Sequence, residues 1–165
     1  MIEKEKQRGR IRKVGFSAHS QTQAVRAISM YDFDTMMFPT NWQMIMRDGW
    51  STEVIKTAKK HDMGVIAIKG LIHRSWINQE ERKAYPKSWC KPIDVSDVPF
   101  GVAALKYTFK SGADVIIPPG DFRDFAFCVD HIDEILGSPL SNSEQALLDR
   151  EFLAVKDHPF FEPRT

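Results

Sequence analysis

Gly64-Val65-Ile66-Ala67-Ile68-Lys69-Gly70-Leu71 is the stretch on which the fold turns. It is a continuous apolar run, rich in β-branched residues, set between two glycines and closed by a cation. A strand with one wet face would alternate apolar and polar residues. An unbroken run predicts a strand buried on both faces of a parallel sheet.

Similar segments stand on either side of it. Ile11-Arg12-Lys13-Val14-Gly15-Phe16-Ser17 and Asp34-Thr35-Met36-Met37-Phe38 precede it, the second halted by Pro39, and Asp114-Val115-Ile116-Ile117 follows it. Helical patterns fill the intervals. Ser20 and Gln23 form a capping-box pair ahead of Ala24, Ala27 and Ile28. Ser51 and Thr52 offer caps for a helix carrying Val54, Ile55 and Ala58. Asp97 and Pro99 suit the cap and first turn of a helix through Val102, Leu105 and Phe109, which Gly112 ends. After Pro118-Pro119-Gly120, the spacing of Phe122, Phe125, Val129, Ile132 and Leu136 predicts another helix. Ser141 and Glu144 start a last one, which stops before Pro159.

Strand and helix thus alternate four times, which implies parallel βα units. A whole (β/α)8 barrel takes about 250 residues. The expectation is therefore an α/β fold: a partial (β/α)8 barrel of four parallel βα units plus a C-terminal helical extension over 137–165, all in one domain spanning 1–165. An open doubly wound sheet is the alternative, but no G-x-G-x-x-G follows any strand.

Composition narrows the function classes. The 23 Lys and Arg against 22 Asp and Glu leave a net charge of +1, which argues against a nucleic-acid or anionic-membrane partner. Cys90 and Cys128 are too few for a disulfide framework and fit a reducing, cytoplasmic setting. No apolar run approaches the roughly 20 residues of a membrane helix, and the charged opening is no signal peptide. His61, His73, His131 and His158 share no metal-ligand spacing. The first eight residues are charged helix formers stopped by Gly9, and read as the tail of an element whose first part is absent. Residues 69–98 predict a long ordered loop, whose Trp76, Tyr85 and Trp89 form either a lid or, the favoured reading, hydrophobic glue.

Four motifs resemble a known family in order and spacing. They are Gly9-Arg10-Ile11-Arg12 with Lys13-Val14-Gly15-Phe16-Ser17-Ala18-His19-Ser20; Tyr31-Asp32-Phe33-Asp34-Thr35-Met36-Met37-Phe38-Pro39-Thr40-Asn41; Gly64 to Leu71; and Ala104-Leu105-Lys106-Tyr107-Thr108 with Asp114-Val115-Ile116-Ile117-Pro118. Together they resemble strands five to eight of the aldo-keto reductases, a (β/α)8-barrel oxidoreductase family. The resemblance covers residues 9–136.

It implies a nicotinamide cofactor, NADP or NAD, across the C-terminal strand ends, and reduction of a carbonyl. Ser17 matches the serine that holds the carboxamide, and His19 shares its motif. Ala18 stands where the family has Asn or Gly, and Met37 where it commonly has Gln, so amide partners are lost. Lys69, Gly70 and Leu71 match the segment that wraps the pyrophosphate, with Gly in place of Pro. Gly120 and Arg123 match the helix start that receives the adenosine phosphate, a position Asp121 opposes. Cys128 and Val129 replace the acidic and amide residues that grip adenine.

The family's catalytic Tyr, Lys, Asp and His belong to its first four βα units, which no segment here matches. No catalytic residue and no metal ligand is therefore assigned, and the chain alone is expected to be inactive as a reductase. The expected partner is a separate N-terminal barrel half, unless the sequence is a truncated gene product. A second reading is a non-catalytic half-barrel that self-associates as a homodimer, since four parallel strands leave two unpaired edges.

Overall fold

The computed structural model describes residues 1–160. A short charged helix, α1 (Ile2–Gln7), leads through Gly9, in the left-handed region at φ 70°, to β1 (Gly15–Ser17). Then come α2 (Gln21–Met30), β2 (Thr35–Pro39), α3 (Trp42–Asp48), α4 (Thr52–Lys60) and β3 (Gly64–Ile68). The expected long loop is in fact structured, with β4 (Ile72–Arg74), α5 (Gln79–Lys83) and β5 (Lys91–Pro92). The chain continues through α6 (Val98–Lys110), β6 (Val115–Ile117), α7 (Phe122–Asp130), α8 (Ile132–Gly137) and α9 (Asn142–Val155). Residues 161–165 of the expected 137–165 extension lie outside the described residues. Among the described residues no helix is long and apolar enough to cross a membrane.

β1, β2, β3 and β6 form one sheet in that order, and every neighbouring pair is parallel. Spatial order follows chain order without a reversal. That is how barrel staves are laid down, whereas a doubly wound sheet turns back at a switch point. β4 and β5 make a separate antiparallel hairpin.

Two carboxylates lock the lower ends of the strands. Asp34, one residue before β2, accepts the Val14 N–H at 2.8 Å on its side chain and donates its own N–H to Val14 O at 2.7 Å. Asp114, before β6, repeats the exchange with Val65, at 2.7 and 2.9 Å. A hydrogen bond from Lys13 leads the effects that hold the Asp34 carboxyl below its usual range.

Three of the predicted caps form at their helix starts. Ser20 accepts from Gln23 N at 3.4 Å, Asp97 from Phe100 N at 3.3 Å, and Ser141 with Glu144 makes both bonds of a capping box. Ser51 differs. It precedes α4 in the left-handed region, at φ 68°, and makes no capping bond. Its N–H instead donates to Gln21 Oε1 at 2.9 Å. Helix α3 was not foreseen; Asn41 caps it by accepting from Met44 N at 3.0 Å.

The packing corrects two expectations. The β3 run is not buried on both faces: Val65 and Ala67 are 0% exposed, but Ile66 and Ile68 are only half-buried. Strand register explains this. Met36 pairs with Val65, Phe38 with Ala67, and Ala67 in turn with Ile116, on one face. That face packs beneath α2, α3 and α4 around Met44, Trp50 and Val54. On the other face Met37, Ile66 and Val115 line up; Met37 and Ile66 are half-buried and Val115 is 50% exposed.

The second correction concerns the single helix expected through 122, 125, 129, 132 and 136, which the structure divides into α7 and α8. All five side chains are exposed, Phe122 the most, at 78%. The buried side of α7 and α8 is instead Asp124, Phe127 and Ile135. Phe127 fits against α6 where Gly101 leaves space; a Cβ there would lie 2.5 Å from its ring.

Candidate functional site

Because the four strands run in parallel, their C-terminal ends share one rim. Ser17 closes β1 and stands exposed beside exposed His19, while Ala18 N continues the ladder to Met37 O at 3.1 Å. At the end of β2, Thr40 N donates to Ile68 O at 3.1 Å, and Asn41 Nδ2 donates to Lys69 O at 3.2 Å. These contacts hold the strand end just before and at Lys69, a lysine in the left-handed region at φ 69°. A non-glycine residue persists there only when its surroundings fix it.

Gly70 has a steric reason. A Cβ at this position would sit 2.4 Å from Ile116 Cγ2 on β6, so the proline of the family pattern would force Ile116 to move. Gly70 and Leu71 are both buried, and Leu71 belongs to the core that includes Trp42 and Phe100. The structure gives these two residues packing roles and leaves Lys69 facing the rim.

Between β3 and β6 the rim opens into a cleft of about 180 Å³. Ile68, Ile72, Ile117 and Pro118 supply apolar walls, and Gly120 closes one side. Lys69 and Lys87 line it, and among the described residues no carboxylate does. Cys90 also faces it, but burial pushes its thiol up to about 12, against the pull of Lys69. A thiol held neutral is a poor nucleophile.

Gly120 and Arg123 are not assembled into a phosphate cradle. Arg123 donates from Nε and Nη2 to the Asp121 carboxylate, both at 3.1 Å, and Asp121 also accepts the Arg123 N–H at 3.0 Å. The hydrogen bonds from Arg123 hold Asp121 down at about 2. The start of α7 thus already carries a carboxylate, and the guanidinium charge is matched by it. Asp124, one turn in, is 4% exposed with Oδ2 unpartnered, and burial pushes its carboxyl up to about 6, with Asp121 adding to the shift.

Of the lining residues, Lys87 escaped the reading of the sequence, and Trp89 was read there only as lid or glue; the signal for both is the aromatic loop itself. Trp76 and Tyr85 pack together at 5.7 Å, and Lys91 Nζ lies 4.0 Å from the Tyr85 ring centroid; this pair is the predicted glue. The Trp89 ring does not join them, although its carbonyl accepts from Trp76 Nε1 at 2.8 Å. The C-terminal stretch also reaches the rim: His158 O accepts from Ser75 N and Gln43 Nε2, both at 3.2 Å, and the Phe160 ring lies 5.0 Å from Lys69 Nζ. Among the described residues no group of three or more His, Cys, Asp or Glu could hold a metal ion.

No protein-family model and no curated protein sequence matches this chain. Solved structures do. The glycerol dehydrogenase AKR11B4 from Gluconobacter oxydans is 19% identical, with a TM-score of 0.58 over 99% of this chain and 55% of that one. The aldo-keto reductase AKR11C1 from Bacillus halodurans superposes in its apo form over 90% of this chain and 54% of that one, at 16% identity and a TM-score of 0.57. Its holo form gives 15% identity and a TM-score of 0.53. This chain spans about half the length of these solved structures. Four consecutive parallel staves, a shared rim and these superpositions identify the fold as that of part of an aldo-keto reductase barrel.

Proposed function

We propose that these residues form the cofactor side of an NAD(P)-dependent oxidoreductase that reduces a carbonyl. The observation that carries the reading is the rim, where Ser17, Lys69 and Gly120 stand at the same ends of parallel strands, with Lys69 and Lys87 in a cleft that no carboxylate lines among the described residues. The donor set fits a dinucleotide best at its phosphates, where two ammonium groups are available. At the nicotinamide end Ser17 has neither the amide at Ala18 nor the one at Met37 to assist it. The cofactor would supply the hydride; the residues of this chain would hold it in place.

NADP or NAD is thus the cofactor, with Lys69 and Lys87 on the pyrophosphate and Arg123 contributing little while Asp121 holds it. Gly70 and Leu71 act by packing the strand end. His19 stands beside Ser17, but no contact in the structure assigns it a task. The chain acts as a single domain in the cytoplasm, consistent with the free thiols Cys90 and Cys128. A proton donor for the carbonyl must come from a second barrel half. Calorimetric titration of the 165-residue chain with NADP and NAD tests this. The expected result is binding, weakened by Lys69→Ala, with no carbonyl-dependent oxidation of NADPH. Turnover would overturn the division of labour, and absence of binding would overturn the cofactor reading.

A second reading rests on a separate observation. Among the described residues β1 and β6 are the sheet's edge strands, each paired on one side, and on one sheet face Val115 is 50% and Ile117 40% exposed. A non-catalytic half-barrel would cover them by self-association, since two copies related by a twofold axis along the barrel can pair β6 of each with β1 of the other. Light scattering decides: a monomer at micromolar concentration excludes it.

A further inference from the structure

Of the four tryptophans, Trp42 and Trp50 are buried at 0% and 3%, while Trp89 is 86% exposed. A ring of this size in water forgoes the largest burial any side chain offers. It is not a loose surface group. Its carbonyl accepts from Trp76 Nε1 at 2.8 Å, and its neighbours Ser88 and Cys90 are buried at 9% and 6%. The backbone is therefore anchored on both sides and only the indole projects, at a cleft it lines together with Lys69, Lys87 and Gly120.

A pre-positioned flat apolar face with two ammonium groups and, among the described residues, no carboxylate is complementary to a planar ring bearing phosphate. The volume of about 180 Å³ suits one ring-sized group and not a dinucleotide, whose remainder would run along the open rim. We propose that Trp89 is a stacking platform for the nucleotide base, with Lys87 and Lys69 on the adjoining phosphates. This rests on the cofactor reading above and adds a positioning residue that the family pattern does not supply.

The test uses the 165-residue chain with ADP, adenosine and inorganic pyrophosphate, followed by calorimetry and tryptophan emission. ADP is expected to bind more tightly than adenosine or pyrophosphate and to quench the emission. Trp89→Ala should weaken ADP about tenfold, the scale of one base stack, and leave pyrophosphate unchanged. Trp89→Phe should keep most of the ADP affinity and lose the quench. Because the indole is exposed, neither change should alter the circular dichroism. Equal ADP affinity in Trp89→Ala and the unmodified chain would remove the platform and leave the cofactor reading standing. If none of the three probes binds, both fall.

Discussion

On one face of the parallel sheet Met36, Phe38, Val65 and Ala67 are 0% exposed; on the other, Ile66 and Ile68 are half-buried and Val115 and Ile117 are open to solvent. The residue types are the same. The difference lies in what faces them: α2, α3 and α4 pack over Met36, Phe38 and Val65, and among the described residues the second set joins neither apolar core. The same contrast divides α7, whose Phe127 is packed against α6 while Phe122 and Phe125 point outward. An apolar residue reports that a surface was selected for burial, and does not report that this chain provides the cover.

The sharpest way to break that contrast is a pair of truncations. Phe38→Ala removes a ring stacked on Trp50 at 5.8 Å and should cost about 3–5 kcal/mol in urea denaturation. Ile117→Ala, on the open face, should cost under about 1 kcal/mol. Comparable losses would mean that the open face is covered in solution.

The covered side of α7 can be tested through α6. Gly101→Ala places a methyl 2.5 Å from the Phe127 ring and should destabilise by about 1–3 kcal/mol. Phe127→Leu in the same chain should recover part of that loss; no recovery would mean that the contact is not the cause.

Asp124 sits on that buried side with its carboxyl raised from 3.8 to about 6. A raised carboxyl favours folding below its unfolded pKa, and the advantage is lost as pH rises through the folded value. The window is therefore pH 4 to 6. Asp124→Asn should flatten the stability profile across it and stabilise the chain at pH 8 by about 1–2 kcal/mol. An unchanged slope would show that another group sets it.

The smallest effect is expected on the open side. Phe122→Ser with Phe125→Ser should shift stability by less than about 0.5 kcal/mol. A drop in the melting temperature of several degrees would reveal a partner over the stripe.

Much of the fold was legible because local rules act within a few residues. Ser141 with Glu144 and Asp97 with Pro99 announce their helices, and strands of Val and Ile alternating with helices imply parallel units. α3 was missed because it is one short helix between a strand-ending proline and another helix, with Asn41 as its only signal. Part of the site was legible as well: the motif ends at Ser17, Lys69 and Gly120 do share one rim. The opposition of Asp121 to a phosphate was also foreseen, but not that Arg123 would be held by it, since a side chain chooses its partner by geometry. Lys87 and Trp89 could not be placed, because nothing in a 30-residue aromatic loop states which ring turns inward.

The sequence by itself determined the order of the four sheet strands, their parallel direction and the apolar character of both sheet faces, since these follow from spacing and chemistry along the chain. Only the tertiary structure decided which face is covered, which glycines are needed for close approach, and that Lys69, Lys87 and Trp89 meet at one cleft. Those are outcomes of distance between segments far apart in the chain, and distance exists only once the strands have been laid side by side.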